Sequence, residues 1–141
     1  MSTAPGARPT RAHPISARVA RLGPRDRIVA ALGAYYAVTG VAPFVSRTAF
    51  EALTGRKRDW WLVQTVGALV LAAGGAMVSA AGRGRVTPEI VGLAGGCAAG
   101  LATIDVVYVT RGRIAPAYLV DAAVEVAALA ALAAGSRRSS P

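Results

Sequence analysis

Three carboxylic acids, Asp105, Asp121 and Glu125, stand inside stretches otherwise apolar enough to lie in lipid. A carboxylate at membrane depth costs ~2.5–3.5 kcal/mol on insertion scales, so one that persists marks a functional site by default. Asp121 and Glu125 are spaced i, i+4 and share one helix face, with Asp105 across a short turn. Three ionised carboxylates in low dielectric repel, so such a set either keeps some of its protons or encloses a cation. Protons or a cation are therefore the ligands these residue types suit. A purely structural role is the alternative, in which Arg47, Arg111 and Arg113 snorkel inward and neutralise Asp105 and Asp121.

Depth ties the three together. A third span ending near Thr110 and a fourth beginning near Ile114 make Arg111-Gly112-Arg113 a tight turn between antiparallel helices. Asp105 and Asp121 then lie roughly 8–10 Å below the turn and Glu125 roughly 16 Å. Neutral partners are expected from two other helices. Thr39 and Gln64 fall in the layer of the two aspartates, and Tyr35 and Tyr36 at the depth of Glu125. The spacing predicts one pocket opening on the side of that turn, lined by Gln64, Asp105 and Asp121 with Glu125 at its floor, because a polar group left facing lipid forfeits its hydrogen bonds.

The elements that must position these residues are four apolar runs, 28–46, 60–81, 90–110 and 114–134. Each approaches the ~20 residues needed to cross a bilayer as a helix. The chain has 141 residues, 54% of them hydrophobic, and a mean hydropathy of +0.46, high for a soluble domain such as an alanine-rich bundle. Runs this long without period-two alternation are helical in lipid. The expected fold is all-α, a four-helix transmembrane bundle over 28–135. It is flanked by a disordered basic tail over 1–27 and a short tail over 136–141. Within the tail, 15–22 is capable of a basic helical turn on the inner leaflet before Gly23-Pro24 ends it. The length of the first run argues against a cleaved signal peptide.

The net charge of +9 does not imply nucleic acid, since the basic residues flank the spans and form no stripe. Six stand before the first span, two in the second loop and two at the C-terminus, against four in the first loop and two in the third. The positive-inside rule then sets both termini in the cytoplasm, in the cell membrane of what the arginine-rich composition marks as a bacterial protein. A short interfacial helix over 48–54 is expected in the first loop, from Phe50 and Leu53 at i, i+3 and the stop at Gly55. Trp60 and Trp61 read as an interfacial anchor, and Thr87, Pro88 and Glu89 as a helix start.

Gly92, Gly96 and Gly100 at i, i+4, i+8 form a small-residue ridge suited to close helix contact, and Gly67, Gly74 and Gly75 permit the same in the second span. The ridge supports a second functional class, a non-catalytic subunit that meets a membrane partner or another copy of itself. Nothing points to an enzyme or a cofactor. Cys97 is the single cysteine and His13 the single histidine, and neither Gly-x-Ser-x-Gly nor a phosphate loop occurs.

The four spans, Phe50-Glu51-Ala52-Leu53-Thr54-Gly55 ahead of Asp59-Trp60-Trp61-Leu62-Val63-Gln64-Thr65-Val66-Gly67, and Tyr118-Leu119-Val120-Asp121-Ala122-Ala123-Val124-Glu125 resemble a group of small uncharacterised bacterial four-helix membrane proteins. In size and layout the chain is also similar to DoxX-like proteins. The first resemblance implies the four-helix fold and no activity; the second implies by analogy a redox-accessory role.

Overall fold

The computed structural model describes residues 22–137, and its described residues form helices and no strand. There are five: α1 (Pro24–Val45), α2 (Arg47–Thr54), α3 (Trp60–Gly82), α4 (Pro88–Thr110) and α5 (Tyr118–Arg137). Four of them, all but α2, are long and apolar enough to cross a membrane. Their outer faces carry large apolar side chains in the open, among them Val38, Val45, Leu69 and Val120. Helices that are apolar all round belong in a core or in lipid, and among the described residues nothing covers these faces. The tail over 1–21, most of the basic turn expected at 15–22, and residues 138–141 lie outside the described residues.

The helix ends follow local chemistry. α1 starts at Pro24, four residues ahead of the expected 28, because proline suits the first helical position and Asp26 follows in the first turn. Ser46 caps α2 by accepting from the Ala49 N–H at 3.2 Å, and Gly55 at φ 81° ends it. Pro88 opens α4; Thr87 stands at its cap position and accepts the Val91 N–H at its carbonyl, 3.1 Å, while its side chain makes no cap bond to the helix backbone. Gly84 and Gly112, both at φ 64°, end α3 and α4. In each, a six-to-one bond closes the turn, from Arg85 N–H to Ala80 C=O and from Arg113 N–H to Tyr108 C=O, both 2.9 Å.

The fourth span departs from expectation. It begins at Tyr118 and not at Ile114, because Pro116 lacks an N–H and forces Ala115 out of helical geometry. Residues 115–120 make the entry through overlapping four-residue turns, such as that closed by Leu119 N–H to Pro116 C=O at 2.9 Å. Asp121 is thereby drawn into the first turn of α5.

α1 packs on α3 and α4 on α5, and the two pairs meet along a thinner seam. The first pair owes its closeness to four glycines at i, i+7 on each helix. A Cβ on Gly33 would stand 2.9 Å from Gly74 C=O, and one on Gly40 would stand 2.7 Å from Gly67 C=O. Of the second-span glycines, Gly75 faces open space. At the end of the bundle near Pro24, Val29, Leu32, Met77, Ala94, Ala98 and Leu132 fill the interior. At the other end, beside α2, the interior is hollow.

Candidate functional site

The hollow is a cavity of about 410 Å³. Its apolar wall is Leu62, Val63 and Val66 of α3 with Leu101 and Ile104 of α4, and Phe50, Ile114 and Tyr118 edge it on the α2 side. Its polar lining comes from three helices: Tyr35, Tyr36 and Thr39 from α1, Asp105 from α4, and Asp121 and Glu125 from α5.

Each carboxyl group has a defined setting. Glu125 is fully buried and accepts from the Tyr36 hydroxyl at 2.8 Å through Oε2. Asp121, half-buried, accepts from the Tyr35 hydroxyl through Oδ1. Asp105 is buried, 5% exposed, and lines the same cavity as Asp121. Two oxygens remain buried without a partner, Asp105 Oδ2 and Glu125 Oε1. A buried polar atom left unpaired costs ~1–3 kcal/mol, so two at one site call for a donor from elsewhere.

The arginines that the sequence offered as neutralising partners do not supply it. Arg47 pairs with Glu51 at 3.2 Å and stacks 5.0 Å over Trp60. Arg111 stacks over Tyr108, and Arg113 is exposed in the turn. Glu51 serves α2: its carboxylate takes the Lys57 N–H at 3.1 Å, and that bond, with Arg47, holds it below the usual carboxylate range.

The chain matches no family model, no curated protein and no solved structure. What the site does must be read from its own atoms.

Two expected members stand apart. Gln64 is half-buried on α3 and does not line the cavity, so the pocket lacks the amide placed there by depth; depth fixes height along a helix but not the direction of a side chain. Thr39 lines the cavity, and its hydroxyl donates to its own helix, to Tyr35 C=O at 3.0 Å, which leaves only the oxygen lone pairs for a ligand. Cys97, read from sequence only for its inability to form a disulfide, is partly buried and packs against the core cluster that includes Tyr36 and Ala94. Its position one turn after Ala94 on the inward face of α4 was the available signal. The apolar wall of the cavity gave none, since leucine and valine in a span face lipid and cavity alike.

Gly92, Gly96 and Gly100 have no atom within 4 Å of where a Cβ would stand, so no other helix among the described residues packs against them. The close helix contact they signalled is made by Gly33, Gly40, Gly67 and Gly74 instead.

Proposed function

We propose that the chain is a multi-pass protein of the cytoplasmic membrane, both termini in the cytoplasm and α2 in the outer interface, that binds protons or a cation at Asp105, Asp121 and Glu125. The observation that carries this reading is the pair of buried carboxyl oxygens on Asp105 and Glu125 with no hydrogen-bond partner among the described residues, on side chains that line a cavity whose described lining includes neither arginine nor lysine. The filled half of the bundle favours binding over conduction, because Val29, Leu32 and Met77 close the interior below the acids.

Orientation is tested with alkaline phosphatase fused after Arg58 and after Arg137. Activity is expected only for the Arg58 fusion, and an active Arg137 fusion reverses the assignment. For the site, the protein in lipid nanodiscs is followed by the infrared carbonyl stretch of protonated carboxyls during a pH titration and on addition of sodium chloride. Asp105→Asn and Glu125→Gln, each still folded, are expected to remove most of the response. A response unchanged in both folded variants refutes the reading. So does a failure of both to fold that Asp105→Leu with Glu125→Met repairs, because the acids would then serve only the fold.

A second reading, a non-catalytic membrane partner subunit, draws on the uncovered face of Gly92, Gly96 and Gly100. Small residues open to lipid allow another helix to approach closely.

A further inference from the structure

We infer that the cavity takes an amphipathic organic monocation, an alkyl- or arylammonium ion whose N–H groups bond Asp105 and Glu125 and whose apolar body lies against Leu62, Val66, Leu101 and Ile104. This rests on the cation-binding reading above and narrows it from cations in general to one chemical class.

Three features of the site select that class. The first is size. At about 410 Å³ the cavity falls within the range of small-molecule pockets and far exceeds what a bare ion fills. Water on its own is a poor occupant, since the wall is aliphatic over most of its extent and offers few partners.

The second is the number and kind of free polar atoms. Tyr36 occupies Glu125 Oε2 and Tyr35 occupies Asp121 Oδ1. The buried atoms left over are single oxygens on two different side chains, Asp105 Oδ2 and Glu125 Oε1. Hard metal ions ask for about six oxygen ligands, and no group of three acidic, histidine or cysteine side chains among the described residues is arranged to hold a metal. An ammonium group needs no such shell. It carries two or three N–H donors and a single charge, which suits two separated acceptors.

The third is the wall. Tyr35, Tyr118 and Phe50 line the cavity, and aromatic rings attract an organic cation by its charge and by its apolar area at once. The tyrosine hydroxyls also fix which oxygens of Asp121 and Glu125 remain free. They act here as positioning residues for the carboxyl groups.

The test uses phenethylammonium chloride as the probe, titrated calorimetrically into the full-length protein in nanodiscs at neutral pH, with 2-phenylethanol as the uncharged isostere. One-site, saturable binding is expected, weakened about tenfold or more in Glu125→Gln, with the alcohol weaker than the ammonium by a similar factor. Val63→Trp narrows the cavity while leaving all three acids in place. It is expected to abolish phenethylammonium binding. Equal binding of the alcohol, no saturable binding by the wild type, or unchanged binding in Val63→Trp overturns the inference. If the ammonium ion fails to bind while the carboxyl signal still responds to pH or sodium, the ligand class is wrong and the cation-binding reading survives. If neither responds, both fall.

Discussion

Gly40→Ala will destabilise the protein by about 2–3 kcal/mol, at the upper end of what one added methyl group costs in a packed interior. The added Cβ would lie 2.6 Å from Leu71 N and 2.7 Å from Gly67 C=O, and both are backbone atoms. No side-chain rotation relieves such a contact, so α1 and α3 must separate along their length. Gly74→Ala meets Gly33 C=O at 2.5 Å and Ala37 N at 2.7 Å and will behave the same way. Gly96→Ala is the control, because nothing stands within 4 Å of its Cβ and alanine is the better helix former by up to ~1 kcal/mol. Thermal unfolding in detergent, with monodispersity checked by size exclusion, will show a large drop for the first two and none for the third. Equal transition temperatures for Gly40→Ala and Gly96→Ala would dispose of the glycine seam.

The second large effect is expected at Tyr36. Tyr36→Phe removes a hydroxyl from a side chain that is 1% exposed and bonded at 2.8 Å to a Glu125 that is 0% exposed. Glu125 then has neither oxygen partnered within the protein, Oε1 being unpaired already. Leaving one more buried acceptor unsatisfied costs ~1–3 kcal/mol. Hydrogen bonds between membrane helices reach only ~1–2 kcal/mol, since the unfolded chain in lipid also finds partners. About 1–2 kcal/mol is therefore expected. Adding Glu125→Met to Tyr36→Phe should recover part of the loss, because an apolar pair leaves nothing unpaired, so the double mutant should be more stable than the sum of the single effects allows. Unfolding of the four proteins by sodium dodecyl sulfate in mixed micelles gives the coupling. Strict additivity would mean that the Tyr36–Glu125 bond contributes nothing to stability.

The spans were legible because length and uniform hydropathy need no knowledge of neighbours: all four expected runs lie within four residues of their helices at either end. The fourth slipped at its start, where Pro116 inside an apolar run carried the boundary signal and the run as a whole masked it. Side-chain direction was harder. Spacing put Asp121 and Glu125 on one face of α5, and both reach the cavity, because two residues on one helix keep their relation whatever that helix packs against. Gln64 shared only their depth, and depth leaves rotation about the α3 axis undetermined. The glycines teach the same point, since a small-residue pattern marks a surface fit for contact without naming the helix that will use it. Gly33 and Gly40 matched Gly67 and Gly74 in spacing, and only the three-dimensional pairing distinguishes that seam from the ridge on α4.

The thin seam between the two helix pairs also has a consequence for biosynthesis. Each pair is made of spans adjacent in sequence, α1 with α3 and α4 with α5, so each completes its own packing from a short stretch of nascent chain. In a two-stage assembly, in which spans insert first and associate afterwards, joining the halves is the last event. The Tyr35–Asp121 and Tyr36–Glu125 bonds run between the halves. Each acid on α5 therefore meets its tyrosine only at that final docking.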